Sequence, residues 1–187
     1  MKILVIADRA PEEDPQIVVQ REGVDLVVTL GDLDLVSLAG LREVKTIPKI
    51  GVYGNHCSGT YFDSLGIQNM HLATWEFSGL TFGGFQGSLR YKPNPYAIMY
   101  TQEEASDMLK DFPYVDVMLA HSPPFGIHDE PGDLSHEGLH GLRDYIDRMH
   151  PRYFLHGHTY VAPDLLVTPH GDTQVVFVYG QRTFELH

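Results

Sequence analysis

Short apolar runs, each closed by a glycine or a polar residue, alternate with amphipathic segments along the first third of the chain. Residues 3–7, 25–30 and 49–53 are rich in valine, isoleucine and leucine, and such runs predict buried strands. The segment 14–22 mixes apolar and charged residues and predicts a helix between the first two strands. Strand, helix and strand form a βαβ unit, which implies a parallel pair with helical cover. Residues 35–43 also have a helical pattern.

The rest of the chain predicts a hairpin, further strands separated by helices, and a closing set of strands. A turn at Ser78-Gly79 predicts the hairpin, and a capping box at Thr101 and Glu104 opens a helix. The predicted strands cover residues 71–77, 80–85, 115–120, 153–155, 165–168, 175–178 and 183–186, the last three as an antiparallel meander. The predicted helices cover residues 101–112 and 138–149, and residues 83–88 are expected to form a loop. This pattern is typical of one α/β domain over residues 1–187.

A side chain that can bind metal follows each of the strands predicted to be buried. These side chains are Asp8, Asp32, Asn55, His56, His121, His156 and His158. In open α/β sheets, ligands bind beyond the carboxyl ends of the strands. Carboxylate and amide oxygens together with imidazole nitrogens suit manganese, iron, zinc or nickel better than calcium or magnesium. The sequence therefore predicts a transition-metal site at one edge of the sheet.

Composition narrows the class of protein. The chain carries 13 Lys and Arg against 25 Asp and Glu, a formal net charge of −12. A surface that binds the nucleic-acid backbone needs a basic face, so this charge argues against a nucleic-acid partner. Cys57 is the single cysteine, which excludes an internal disulfide framework and favours a reducing, cytoplasmic compartment. No apolar run reaches the roughly 20 residues of a membrane span, so no membrane partner is expected, and the sequence indicates no particular protein partner.

The order of these motifs resembles that of the calcineurin-like metallophosphoesterases. Their pattern of D-x-H, G-D, G-N-H-[D/E], H and G-H-x-H corresponds here to Asp8, Gly31-Asp32, Gly54-Asn55-His56, His121 and Gly157-His158. The resemblance extends from residue 3 to about residue 160. It implies a four-layer α/β/β/α sandwich in which two mixed β-sheets lie face to face, with helices outside. It also implies a dinuclear metal centre that hydrolyses phosphate esters.

The resemblance assigns a role to each matching residue. The implied metal ligands are Asp8 for the first ion, Asp32 as the bridge, and Asn55, His121 and His158 for the second ion. His56 would not bind metal, but would protonate the leaving oxygen or hold the phosphate. One or two divalent transition-metal ions are expected per chain, with Mn²⁺ favoured over Fe, Zn and Ni. Two such ions can neutralise a phosphate and activate the attacking hydroxide, and a histidine suits the general acid.

Three positions depart from the family pattern. Ala10 and Tyr160 stand where D-x-H and G-H-x-H have their final histidines, and Cys57 stands where G-N-H is followed by Asp or Glu. The first two changes remove ligands of the first ion only. A neutral Cys57 cannot orient His56 as a carboxylate would.

Three interpretations of the altered first site remain open. His156, Tyr160 or Asp34 could replace the missing ligands. His156 lies two residues before His158, so both would point to the same side of an extended chain. Alternatively, the enzyme works with one ion, and Arg9 supplies positive charge where the other would bind. In the third interpretation catalysis is lost and the fold serves as a scaffold or binding protein.

Other polar residues are candidate substrate contacts. His128 follows the Pro-Pro-Phe-Gly-Ile segment after His121, where the family's substrate loop lies. For His136, a position over the substrate and a position on the surface stay equally open. Arg90 lies in a glycine-rich stretch and could reach a phosphate. We interpret the chain as a metal-dependent phosphoesterase for small, including nucleotide-like, phosphate esters, with diesters favoured over monoesters and a non-catalytic scaffold as the alternative.

Overall fold

Two mixed β-sheets pack face to face, with helices on their outer faces, in the computed structural model, which describes residues 1–187 apart from the side chain of Asp164. The strands are β1 (Lys2–Ala7), β2 (Leu26–Thr29), β3 (Lys49–Gly51), β4 (Gln68–Asn69), β5 (Thr74–Phe77), β6 (Leu80–Phe85), β7 (Ser88–Leu89), β8 (Met99–Tyr100), β9 (Val117–Ala120), β10 (Tyr153–His156), β11 (Val167–His170), β12 (Thr173–Phe177) and β13 (Gly180–Glu185). The helices are α1 (Pro15–Glu22), α2 (Phe62–Leu65), α3 (Gln102–Leu109) and α4 (His140–Met149), with 3₁₀ turns at Ala39–Arg42 and Pro163–Leu165. None of the described helices combines the length and the apolar composition that crossing a membrane requires.

Both large sheets are mostly parallel. The first has the order β13-β1-β2-β3-β4, in which β1 to β4 run parallel and β13 runs antiparallel to β1. The second has the order β11-β12-β10-β9-β6-β5, in which only the edge strands β11 and β5 are antiparallel. Strands β7 and β8 form a short parallel pair. The predicted sandwich of two mixed sheets is confirmed, whereas its description as a single domain over residues 1–187 stays a prediction.

The strands form continuous apolar runs because they are buried on both faces. In β1, Ile3 and Val5 point into the core between the two sheets, whereas Leu4 and Ile6 pack with residues of α1 and the first 3₁₀ turn. Strand β9 alternates in the same way between the first sheet and the helices α3 and α4. Because parallel strands end at the same edge of a sheet, the segments that follow β1, β2, β3, β9 and β10 are brought to one side of the sandwich.

The helix predicted over residues 35–43 is wrong. Only Ala39–Arg42 forms a 3₁₀ turn. The Asp34 carboxylate accepts hydrogen bonds from the backbone N–H groups of Val36 (3.0 Å) and Ser37 (2.7 Å), which holds the preceding residues in a turn. Local side-chain bonds of this kind compete with helix formation.

The loop predicted over residues 83–88 is wrong in its first half, because β6 continues to Phe85. A Cβ on Gly84 would lie 2.8 Å from a Val52 methyl carbon, so this glycine serves close packing rather than a turn. The closing meander is also wrong in its last step. Strand β12 pairs with β10 and β11 in the second sheet, whereas β13 crosses over and pairs with β1.

His71 is a packed histidine that should make stability depend on pH. Its Nδ1 accepts the Gln86 N–H (3.3 Å), its Nε2 lies 3.3 Å from the Tyr100 hydroxyl, and its ring packs on Phe85. Burial lowers the pKa of His71 to about 4, whereas an unfolded histidine titrates near 6.5. Between these values the unfolded chain binds the proton more strongly. This contribution to stability is therefore present above about pH 6.5 and is lost as pH falls toward 4.

Urea unfolding of the metal-free protein at pH 7.5 and pH 5 measures this effect. The His71 contribution to the free energy of unfolding should fall by about 2 kcal/mol between the two values. His71→Gln should reduce the pH dependence by that amount, whereas His187→Gln, at an exposed position, should not change it. Equal pH dependence in the wild type and H71Q would contradict the prediction.

Candidate metal centre

A cleft of about 400 Å³ opens at the carboxyl ends of the parallel strands. Its lining consists of Asp8, Asp32, Asn55, His56, Tyr91, Ser135, His136, His158, Thr159, Tyr160 and Tyr179. His121, which follows β9, is fully buried beneath these residues and contacts several of them. Six residues predicted from the sequence are thus brought together, namely Asp8, Asp32, Asn55, His56, His121 and His158.

The backbone at the strand ends is shaped to direct these side chains. Asp8, Asp32 and His158 have φ angles of 60°, 50° and 72°, in the left-handed region that residues other than glycine rarely adopt. Such conformations cluster at functional sites, where the surrounding contacts hold them. A Cβ on Gly54 would overlap the Asp32 carboxylate, and one on Gly157 would overlap the Asp8 carboxylate. The glycines of both motifs therefore give the carboxylates room to approach the neighbouring chain.

His121 is held at both ring nitrogens. Its Nδ1 donates to the Leu30 carbonyl (2.8 Å), and its Nε2 lies 2.9 Å from Asn55 Oδ1 and 3.5 Å from Asp32 Oδ2. Burial opposes a charge on this ring, but the carboxylates of Asp32 and Asp8 outweigh it and raise the pKa of His121 to about 9. A carbonyl that fixes one ring nitrogen directs the other toward a metal ion, so Nε2 of His121 is a candidate ligand for an ion that displaces its proton.

Asp8 and Asp32 are carboxylates with little access to water, with side chains 12% and 16% exposed. Asp32 Oδ1 accepts the backbone N–H of His56 (2.8 Å), and Asp8 Oδ2 accepts that of His158 (2.9 Å). Burial raises the pKa of Asp8 to about 6. Burial acts on Asp32 in the same direction, but the nearby His121 outweighs it and lowers the pKa of Asp32 far below its usual range. Two partly buried carboxylates near the same histidine favour a bound cation.

His158 completes the group. Its Nε2 donates to the Ser135 carbonyl (2.8 Å), so Nδ1 is the ring nitrogen left for an ion. Burial and the nearby His121 lower the pKa of His158 to about 3. Its ring is therefore neutral, which is the form that binds metal.

The donor set fits one divalent ion. One ligand atom each from Asp32, His121 and His158 lies within 4.8 Å of the other two. Asn55 Oδ1 adds a further oxygen beside His121 Nε2. Two oxygens and two nitrogens suit manganese, iron, zinc or nickel. A second ion beside Asp8 has fewer donors, because Ala10 and Tyr160 occupy the two positions where the family pattern has histidine.

Asp34 and Tyr160, two of the predicted substitute ligands, border this region. Asp34 lines a neighbouring hollow with Ala10, Asp32 and His56, but its carboxylate already accepts the two backbone N–H groups described above. Tyr160 is 71% exposed at the mouth of the cleft. Their roles as ligands stay predictions.

The predicted common orientation of His156 and His158 is wrong. Strand β10 ends at His156, and the left-handed backbone at His158 turns its side chain out of the extended path. His156 Nδ1 donates to the Gly157 carbonyl (3.0 Å), and its Nε2 lies 2.8 Å from His128 Nδ1. His128 Nε2 in turn lies 2.7 Å from Thr168 Oγ1. Burial lowers the pKa of both rings, so His128 and His156 form a neutral pair whose nitrogens bond each other and the adjacent chain rather than the cleft.

Neither arginine predicted to contact phosphate belongs to the cleft lining. Arg9 pairs with Glu12 at 3.4 Å, and Arg90 pairs with Glu104 at 2.9 Å. Among the described side chains, no lysine or arginine lines the cleft. The phosphate contacts of Arg9 and Arg90 stay predictions.

Cys57 points into the core rather than toward His56. Its sulfur accepts the Gly54 N–H (3.2 Å) and lies 3.3 Å from the Tyr61 hydroxyl. Burial raises the pKa of the Cys57 thiol, which keeps it protonated and unreactive. The His56 ring lines the cleft, and no described side chain donates to it or accepts from it.

Two further residues of the cleft lining, Tyr179 and Ser135, were not predicted from the sequence. Tyr179 follows the carboxyl end of β12, so the rule that found Asp8 could have found it as well. Ser135 contributes its backbone carbonyl to His158, and no side-chain pattern predicts such a contact. His136, whose position stayed open, lies in the cleft.

Comparisons with known proteins agree with this architecture. The family model of the calcineurin-like phosphoesterase superfamily domain matches residues 1–180. The solved structure of TT1561 of Thermus thermophilus is similar, with a TM-score of 0.67 and 17% identity, covering 96% of this chain and 89% of that chain. A dimetal phosphatase from Danio rerio has a TM-score of 0.58 at 12% identity, covering 96% of this chain and 87% of that chain.

A phosphatase from Mycoplasma pneumoniae is also similar, with a TM-score of 0.54 and 14% identity over 96% of this chain and 72% of that chain. No curated protein sequence matches this chain significantly. The structural likenesses show the fold, and the family model covers almost the whole chain. The chain belongs to the calcineurin-like phosphoesterase superfamily, a superfamily of metal-dependent phosphoesterases.

Proposed function

We propose that the chain hydrolyses small phosphodiesters in preference to phosphomonoesters, with Mn²⁺ as its favoured ion. The superfamily supports the general reaction. The proposed preference for diesters rests on the charge of the cleft. Asp8 and Asp32 line the cleft, and no described lysine or arginine does. A phosphomonoester brings close to two negative charges at neutral pH, whereas a diester brings one. With one divalent ion bound, the two carboxylates offset its charge, so the cleft offers no surplus positive charge for the second negative charge of a monoester.

The residues of the centre divide into two groups. Asp32, Asn55, His121 and His158 would hold one ion, and Asp8 with Asp32 would hold a second ion more weakly. When bound, such ions neutralise the phosphate and lower the pKa of water. The carbonyls of Leu30 and Ser135 fix one nitrogen of each ring, so the rings of His121 and His158 would already be oriented when an ion binds.

The remaining lining residues would contact the substrate. His56 borders the phosphate position beside Asp32 and either protonates the leaving oxygen or holds the phosphate. Tyr91, Tyr160 and Tyr179 provide aromatic surface at the same cleft. The planar base of a nucleoside leaving group can pack on such rings.

Steady-state assays with Mn²⁺ test this proposal. Methyl 4-nitrophenyl phosphate and 4-nitrophenyl phosphate share a leaving group and differ by one charge. We expect kcat/KM to be about tenfold higher for the diester, which corresponds to about 1.4 kcal/mol. Chelation with EDTA should abolish both activities.

Other outcomes separate the alternatives. A higher kcat/KM for the monoester would remove the diester preference and leave the phosphoesterase. Absence of hydrolysis of both esters, together with absence of bound Mn²⁺ after dialysis against excess ion, would favour the scaffold or binding protein.

A further inference from the structure

A second histidine in the cleft has the orienting carboxylate that His56 lacks. His136 lines the cleft, and its Nδ1 lies 2.8 Å from Asp133 Oδ2. Its side chain is 27% exposed. No described residue forms a hydrogen bond with its other ring nitrogen, Nε2. The pair therefore presents one free imidazole nitrogen in a fixed orientation.

Asp133 is itself held in position. Its Oδ1 accepts the backbone N–H (3.0 Å) and the hydroxyl (2.6 Å) of Ser135. Hydrogen bonds from Ser135 and His136 lower the pKa of the Asp133 carboxyl to about 2, so it is ionised at neutral pH. An ionised carboxylate that accepts from Nδ1 sets the orientation of the ring.

The position of this pair is tied to the metal centre. The Ser135 carbonyl accepts from His158 Nε2, and the rings of His136 and His158 are 5.6 Å apart between centroids. The ring of His136 also lies 5.8 Å from that of Tyr160, on the aromatic side of the cleft where we place the leaving group. His56 reaches the cleft beside Asp32 instead. Its neighbour Cys57 is turned into the core, so the position that would be Asp or Glu in the family pattern cannot orient it.

We propose that His136, oriented by Asp133, donates the proton to the leaving oxygen, and that His56 holds the phosphate. This assignment rests on the proposed phosphodiester hydrolysis. The oxygen of water bonds to phosphorus, and the bond from phosphorus to the leaving oxygen breaks with its electron pair kept by that oxygen. The leaving oxygen takes the Nε2 proton of His136. The neutral ring, still bonded to Asp133 through Nδ1, regains a proton from solvent, which also receives the proton of the attacking water. His136 is then a catalytic residue and Asp133 a positioning residue.

The effect of the leaving group on kcat/KM distinguishes a proton-donating role of His136 from a structural one. A proton donor matters little when the leaving oxygen is already a stable anion, and it contributes about 10²–10⁴-fold when it is not. A series of methyl aryl phosphates, from 4-nitrophenyl to phenyl, keeps the phosphoryl group and varies only the leaving group. With Mn²⁺, H136Q should lose less than about threefold in kcat/KM on the 4-nitrophenyl ester and about 100-fold or more on the phenyl ester. Asp133→Asn should also lose more kcat/KM on the phenyl ester than on the 4-nitrophenyl ester, by a smaller factor than H136Q.

The chain offers a matched control. His170 pairs with Asp147 at 2.6 Å outside the cleft lining, so His170→Gln removes an Asp–His pair of the same kind. It should leave the leaving-group dependence unchanged. Bound Mn²⁺ per chain is measured for every variant, because Ser135 connects this segment to His158. If H136Q does not fold, D133N carries the test.

Each contrary result has a distinct meaning. The assignment would be overturned if H136Q lost the same factor in kcat/KM on every ester. It would also be overturned if kcat/KM depended more steeply on the leaving group in His56→Gln but not in H136Q. Both results would leave the proposed hydrolysis standing. A wild type that binds Mn²⁺ but hydrolyses no ester of the series would overturn the proposed function and the assignment with it.

Discussion

Replacing Asp32 with alanine should abolish tight Mn²⁺ binding and reduce kcat/KM by about 10³-fold or more. Among the described side chains, Asp32 is the one carboxylate grouped with both His121 and His158, and it also accepts the His56 backbone N–H. Its removal would take away a proposed ion ligand and the charge that offsets His121 in a buried position. Isothermal titration with Mn²⁺ and assays on methyl 4-nitrophenyl phosphate measure the two effects.

An exposed carboxylate serves as the control for this variant. Asp144 lies on the outer surface of α4, and Asp144→Ala should retain the ion and the activity of the wild type. If Asp32→Ala kept wild-type activity, the centre assigned at the strand ends would be wrong. A variant that lost activity but still bound Mn²⁺ tightly would place the ion on other residues.

The positions of the central candidate ligands could be predicted because they follow from strand ends. Burial on both faces makes β1, β2, β3 and β9 continuous apolar runs, and each run is followed by a polar side chain. Parallel strands then bring Asp8, Asp32 and His121 to one edge without any knowledge of loops. The alternation of strands and helices predicted an α/β domain with a parallel pair of strands. The two mixed sheets lying face to face were implied only by the resemblance to the metallophosphoesterases.

What escaped prediction depends on tertiary contacts. Strand β13 pairs with β1, at the other end of the chain. The alternation of polar and apolar residues over 183–186 cannot specify that partner. His156 and His158 point in different directions because the backbone at His158 is left-handed. The alternation of side chains along an extended strand does not predict this. Ser135 and His136 lie in a loop that has no periodic pattern of apolar residues. Their contacts with His158 are seen only in the folded chain. The part of the cleft formed by Ser135 and His136 therefore depends on the folded structure and not on a sequence motif.

Restoring the two missing histidines should create a second tight ion site. Ala10 borders the hollow that contains Asp32 and His56, and Tyr160 borders the cleft that contains Asp8 and Asp32. The double variant Ala10→His with Tyr160→His would add two imidazoles near the partly buried carboxylates of Asp8 and Asp32. We expect affinity for the second Mn²⁺ to rise by at least about tenfold, seen as two bound ions per chain after gel filtration.

The same change should alter substrate preference, because a second ion neutralises the extra charge of a monoester. The ratio of diester to monoester kcat/KM should therefore fall toward one in the double variant. Ala10→Asn with Tyr160→Phe changes the same positions without adding imidazole and should keep the wild-type ratio and ion count. A wild type that already holds two ions with equal affinity would show that other residues replace the missing ligands. In that case the diester preference would need a cause other than the charge of the cleft.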